Sequence, residues 1–318
     1  MQFPFALPDH KQFAAVGFGV NAVDYLIVVP EYPAFDTKTR LLAHRESAGG
    51  QTATAMVGLQ RLGFRTAYAG RFGSDRLGQL GLQSLKREGV ATDFAEVIEG
   101  ATNQIAFILI EARSGERTVI WDRDERLAYG SDVPFALSSR TRLLHIDAHD
   151  PPACALMAQA ARAAGAIVSA DIDNIYEGLP DLLPLIDILI TSKEFPGRLI
   201  GINDRRTALF ELRARYGCPL VGMTLGVEGA IVYCGNQFLQ SPAYQVPGGC
   251  RDTTGAGDAF HAGFLFGLLT AVDLEMALKF ANAAAALKCR DLGGRAALPT
   301  RRELEEFTRN ASPLGAGS

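Results

Sequence analysis

The sequence is short of the features that mark several large classes of protein. Its five cysteines, Cys154, Cys218, Cys234, Cys250 and Cys289, are scattered, odd in number and never spaced Cys-x-x-Cys. Neither a disulfide framework nor a zinc site is indicated, and a reducing compartment fits. No apolar run reaches the ~18 residues that a bilayer-spanning helix needs. The opening stretch MQFPFALPDHKQF has no basic segment followed by an apolar one. A soluble, cytoplasmic protein with no membrane partner is expected. Lysine plus arginine total 31 against 35 aspartate plus glutamate, with no basic run, so no nucleic acid partner is expected. Gly-Lys-Ser and Gly-Lys-Thr are absent, which excludes a P-loop. Gly17-Phe18-Gly19 does not open a dinucleotide fingerprint either: its third glycine would fall at Ala22, and Ala22 to Val28 reads on as a strand. There is no low-complexity tract and no internal repeat.

What is present is the alternation of an α/β protein. With 318 residues and 48% apolar content, the chain can bury a large core. Strands are expected at Ala14–Gly17, Thr66–Ala69, Leu143–Ile146, Ile167–Ala170, Ile186–Ile190 and Leu220–Met223, and helices at Gln51–Leu62, Gly78–Glu88, Pro152–Ala164 and Asn203–Tyr216. Each helix runs into a glycine stop at Gly63, Gly89, Gly165 or Gly217. The rhythm predicts one doubly wound domain over 1–318, a mainly parallel sheet flanked by helices. Two segments, about 24–48 and 103–122, break it and read as a small β-sheet insertion, the second folding around Arg113 to Glu116. Ala311 to Ser318 is expected to fray.

Arg251-Asp252-Thr253-Thr254-Gly255-Ala256-Gly257-Asp258-Ala259-Phe260 carries the most chemistry. It joins turn residues to an apolar helix running from Ala259 to Thr270, so Gly255 to Asp258 lies at a helix N-terminus. Unpaired N–H groups and the positive end of the helix dipole point outward there, and glycines let an anion come close. Asp258 is then placed to take a proton from a hydroxyl while the amides stabilise a transferring phosphoryl group. The spacing alone equally allows an N-capping Thr254 and a first-turn acid with no catalytic task.

The stretch DTTGAGDAFHAGF resembles the C-terminal signature of the ribokinase-like, PfkB-type carbohydrate kinases. Ala48-Gly49-Gly50-Gln51-Thr52-Ala53-Thr54-Ala55, with Gly70-Arg71-Phe72-Gly73-Ser74-Asp75 beyond it, resembles the family's other signature. The resemblance implies a ribokinase-like fold whose small β-sheet is a lid over the sugar, pairing with the lid of a second subunit in a homodimer. It implies Asp258 as catalytic base and Gly255, Ala256 and Gly257 as the anion hole. Asp24, closing the first-strand motif, would hold sugar hydroxyls, with Gly49, Gly50 and Thr54 beside the sugar. Thr224, Gly226, Gly229 and Asn282 inherit the ATP-binding positions, and the cofactors implied are ATP and Mg²⁺. Asp252 and Thr254 match positions beside a potassium site in cation-activated members.

Departures bear on substrate more than on reaction. Thr54 stands where ribokinases carry Asn. Glu194, in Ser192-Lys193-Glu194-Phe195, is displaced by one residue from the family's magnesium-organising Glu, and is equally a helix-start acid. Residues 286–295 and 253–261 look nearest to the ketohexokinase and sulfofructose-kinase side. An anionic sugar would need a cationic clamp. Lys38, Arg113, Arg117 and Arg123 are candidates, but Asp147-Ala148-His149-Asp150 at the fourth strand contains no arginine. A neutral ketohexose is therefore the expected acceptor. The alternatives are an anionic sugar, a nucleoside (Tyr25, Phe107 and Trp121 offering aromatic surface), and a catalytically silent sugar or nucleotide sensor on the same fold, which would have no need of Asp258.

Overall fold

The computed structural model describes residues 1–314. In chain order its strands are Phe13–Phe18 (β1), Ala22–Val29 (β2), Ala43–Gly49 (β3), Thr66–Ala69 (β4), Arg71–Gly73 (β5), Glu96–Ile98 (β6), Ile105–Glu111 (β7), Arg117–Asp122 (β8), Thr141–Ile146 (β9), Ile167–Ile172 (β10), Ile188–Thr191 (β11), Leu220–Thr224 (β12), Ala230–Cys234 (β13) and Gln237–Ser241 (β14). The helices are Gln51–Arg61 (α1), Arg76–Arg87 (α2), Pro151–Ala163 (α3), Leu179–Leu182 (α4), Phe195–Ile200 (α5), Arg205–Tyr216 (α6), Ala256–Leu269 (α7), Leu274–Lys288 (α8) and Arg301–Asn310 (α9).

The main sheet runs β14-β13-β12-β11-β10-β9-β1-β4, parallel from β12 to β4. Successive residues of a strand face opposite sides, and both sides are covered. Ala15, Leu143, Ile190 and Leu220 join the core beneath α1, α7 and α8, while their neighbours Val16, Leu144, Leu189 and Val221 join the one beneath α3 and α6. Two-sided burial is why these strands read as continuous apolar runs. Helix starts follow short side-chain caps: Asp75, Asp204, Asp273 and Thr300 each accept a hydrogen bond from the first turn of α2, α6, α8 and α9. The four stop glycines take φ between 77° and 92°.

A second, four-stranded sheet of order β3-β2-β7-β8 stands apart, built from the two rhythm-breaking segments. Its inner face, Leu26, Val28, Ala106, Ile108 and Ile110, packs towards Leu292. Three features differ from the sequence expectation. Edge strands β13 and β14 were not among the expected strands; they form a hairpin at Gly235-Asn236, whose φ values of 55° and 63° suit a tight two-residue turn. The β5–β6 pair is three residues long on each side, too short for periodicity to reveal. Residues 311–314 are docked, with Leu314 N donating to Ala243 O at 2.7 Å and Pro313 bridging Tyr244; the remainder of the tail expected to fray lies outside the described residues.

Candidate active site

Helix α7 begins at Ala256, three residues before the expected apolar start, with Gly255 as its N-cap residue at φ 76°. A Cβ on Gly255 would fall 2.6 Å from the Cα of Gly294, so only glycine allows the loop to turn here against the 293–294 segment. Ala256 N–H is already spent on Thr253 O at 3.1 Å, whereas the amides of Gly255, Gly257 and Asp258 have no acceptor among the described residues. These three, at the positive end of a fourteen-residue helix, make an anion-binding cradle. The half-buried Asp258 borders it, and its carboxyl is held well above the usual range by burial and then by Asp171 and Asp24, against the pull of Arg117 and Arg295.

Nearby, Asp24 comes from the inner part of β2, and Gly49 ends the neighbouring β3. A Cβ on Gly49 would coincide with the Asp24 carboxylate, so the absence of a side chain makes room for it. Asp24 is 5% exposed, and burial pushes its carboxyl up to about 7, opposed by Arg295. Arg295 is itself buried: Nη2 donates to Gly49 O at 2.6 Å, Nε to Thr54 Oγ1 at 3.3 Å and Nη1 to Ser84 Oγ at 3.1 Å. Thr54, wholly buried, thus orients Arg295.

A second group of side chains gathers at the C-terminal ends of β9 and β10 and on strand β8 of the small sheet. Asp147 accepts from Val20 N at 2.7 Å and from Thr52 Oγ1 at 2.8 Å; although burial opposes it, these bonds and His149 hold its carboxyl at about 2. His149 packs edge-on to Trp121 at 5.9 Å and against Tyr176 at 5.1 Å between ring centres. Arg123, Asp147, His149 and Asp150 line a small cavity of about 10 Å³. The fold therefore brings an arginine to the fourth-strand motif that has none in its own sequence. Behind Asp258, His261 Nε2 lies 3.2 Å from Asp171 Oδ1.

The sequence profile of the pfkB family carbohydrate kinases matches residues 20–301. The chain belongs to the pfkB family. Similar proteins include a nucleoside kinase of Methanothermobacter thermautotrophicus, 26% identical over 95% of this chain and 97% of that one. The ribokinase of Haemophilus influenzae is 27% identical over 92% and 97%. Among solved structures, one from Agrobacterium tumefaciens assigned as a ribokinase superposes with a TM-score of 0.86, 28% identity and coverage of 93% and 97%. The chain is thus a sugar or nucleoside kinase with the ribokinase fold.

Within this pfkB-family frame, the expected site residues fall into two groups. Asp24 is close enough to bear on the Asp258 carboxyl, Gly49 abuts Asp24, and Gly255 packs on Gly294, next to the Arg295 that bonds Gly49 O; Gly257 follows Gly255 in the first turn of α7, and Gly50 is the N-cap residue of α1. Others are placed elsewhere or otherwise employed. Lys38 is exposed on the 30–42 loop and makes no hydrogen bond or ion pair among the described residues. Glu194 is 71% exposed beside Lys193 at 3.7 Å. Asn282 is buried and donates to Ser241 O at 3.2 Å and Oγ at 3.1 Å, tying α8 to β14. Thr224, Gly226 and Gly229 surround the turn after β12, where Leu225 N bonds Gly229 O at 2.7 Å. Asp252 does not fit an added monovalent ion: Lys288 Nζ, fully buried, donates to Asp252 O at 2.8 Å and lies 3.8 Å from Oδ2. Among the arginines of the small-sheet insertion, Arg113 pairs with Glu111, whereas Arg117 Nη1 donates to Thr253 Oγ1 at 3.0 Å, just before the start of α7. The sequence reading missed Arg295, Lys288, Asp171 and His261. Their one signal was a charged or imidazole side chain inside an otherwise apolar context.

Proposed function

We propose that this kinase transfers the γ-phosphoryl group of ATP to a hydroxyl of a neutral sugar of the ketohexose class. The observation that carries the reading is that Asp24 lies near enough to Asp258 for its charge to bear on that carboxyl. Both carboxyls are raised by burial, Asp258 also by Asp171 and Asp24, and Asp24 also by Asp252; once ionised, each is a correspondingly strong acceptor for a hydroxyl. With Asp147, Asp171 and Asp173 beyond them they outnumber Arg117, Arg123 and Arg295, so an anionic acceptor meets repulsion as well as attraction. The ketohexose class rests further on the likeness of residues 286–295 to ketohexokinases.

Asp258 takes the acceptor's hydroxyl proton as the oxygen attacks the γ-phosphorus in line. The bond to the β-phosphate oxygen breaks and ADP leaves, while the amides of Gly255, Gly257 and Asp258 bind the charge on the transferring group. No cluster of three or more metal-ligating side chains occurs among the described residues. That suits magnesium, which keeps its waters and is held chiefly by substrate phosphates; when bound, it neutralises phosphate charge. The β3-β2-β7-β8 sheet acts as the lid, excluding water that would otherwise be phosphorylated in place of the sugar. Its outer face carries Phe107, 42% exposed, and Ile120, 59% exposed, opposite each other, a surface suited to pairing with a second copy's lid.

A nucleoside acceptor is the second reading, favoured by the Trp121–His149–Tyr176 ring cluster. ADP release with Mg-ATP is measured against ketoses, aldoses, sugar phosphates, sulfosugars and nucleosides, with Asp258→Asn as control. Asp258-dependent turnover of a neutral ketose supports the proposal. Turnover with nucleosides alone, or with anionic sugars alone, overturns its substrate class.

A further inference from the structure

The loop that precedes the anion cradle is organised by one buried carboxylate. Asp252 Oδ1 accepts from Thr254 N at 2.7 Å and Oδ2 accepts from Gly293 N at 2.7 Å. It thereby fixes both the residue before Gly255 and the segment that Gly255 packs against. Asp252 is 0% exposed, and such a carboxylate needs a compensating charge. That charge comes from the last residue of α8: Lys288, also 0% exposed, puts Nζ 2.8 Å from Asp252 O and 3.8 Å from Oδ2. The negative end of the α8 dipole favours a cation there as well. Arg251 N bonds Cys289 O at 2.9 Å, locking the loop to the same helix end.

We infer that Lys288 is a built-in cation, a positioning residue whose ammonium group takes the place of a bound monovalent metal ion behind the anion cradle, so that this kinase works independently of potassium. An ammonium group and a potassium ion carry the same charge and are of similar size. Placing the ion beside the ammonium would bury two like charges against one carboxylate, which the low-dielectric interior opposes. Lys288 touches neither acceptor nor nucleotide in this arrangement; it acts through Asp252 on the backbone of 252–255.

The inference rests on the kinase reading for its activity arm but has a second readout independent of it. Turnover and thermal unfolding are measured in KCl and in tetramethylammonium chloride at equal ionic strength, for the wild type, Lys288→Ala and Lys288→Met. The wild type is expected to show equal turnover within about twofold and an unchanged unfolding midpoint, because no site binds the added ion. Lys288→Ala is expected to lose about tenfold or more in turnover without potassium, as the cradle loosens. KCl or NH₄Cl then restores activity and raises the midpoint, whereas Lys288→Met, which fills the space without charge, is not rescued. Potassium activation of the wild type by fivefold or more, potassium stabilisation of the wild type, or full activity of Lys288→Ala without potassium overturns the inference. If no acceptor is turned over, the kinase reading fails, and the unfolding midpoints of the wild type and Lys288→Ala still decide the cation question.

Discussion

Arg295 donates to the main-chain oxygen of Gly49 at 2.6 Å across 246 residues of sequence. This bond ties the C-terminal segment to the end of β3, and it sets a cation near Asp24. Replacing Arg295 by Met leaves Gly49 O and Asp24 buried without their partner, and is expected to cost about 3 kcal/mol of stability. Lysine cannot reproduce the three-way fork to Gly49, Thr54 and Ser84 and should recover only part of the loss. Urea unfolding of both variants checks this; a wild-type midpoint for Arg295→Met would refute the role.

Gly49→Ala places a methyl group on the Asp24 carboxylate. The expected result is a drop of about tenfold or more in kcat/KM for the acceptor, because a small displacement at the reacting end is costly. The KM for ATP should hold, since the cradle amides belong to a different element, the start of α7. An unchanged acceptor kcat/KM would remove Asp24 from the acceptor site.

Asp258→Asn keeps the shape of the side chain and removes the base. A fall in kcat of about a hundredfold to ten-thousandfold is expected, with the circular dichroism spectrum intact. The carboxyl is pushed up by burial and by Asp171, so the acid limb of the wild-type kcat/KM profile should lie above the ordinary carboxylate range. An acid limb near pH 4 would contradict that environment.

Asp24 connects the site to stability. Burial raises its carboxyl from 3.8 in the unfolded chain to about 7, so the native state binds the extra proton between those values and stability falls as pH rises through that window. Asp24→Asn removes this proton uptake. Wild-type unfolding free energy should therefore decline more steeply from pH 5 to pH 8 than that of Asp24→Asn, as urea titrations would read. Parallel slopes would mean that Arg295 already holds Asp24 ionised.

Much of this molecule was legible in its sequence because the relevant physics is local. Apolar strands covered on both faces leave continuous runs, short capping side chains and stop glycines mark helix ends, and a glycine-rich turn opening an apolar helix announces a cradle of free amides. Those signals located the main sheet, the separate small sheet and the start of α7. The hairpin of β13 and β14 was within reach of the same reasoning through Gly235-Asn236.

Only the tertiary structure decided which charges share a space. Thr54, expected beside the sugar, also accepts from Arg295, and Asn282, expected beside the nucleotide, also ties α8 to β14. Asp147 to Asp150 contains no arginine, yet Arg123 is brought there from the loop after β8. Asp252 read as a cation site, and its cation turned out to belong to the chain itself, 36 residues on at Lys288. Capping, turn and periodicity preferences act within a few residues and are written in neighbouring letters. Compensation of a buried charge acts through space, over a few ångströms, between residues that the folded topology alone makes neighbours.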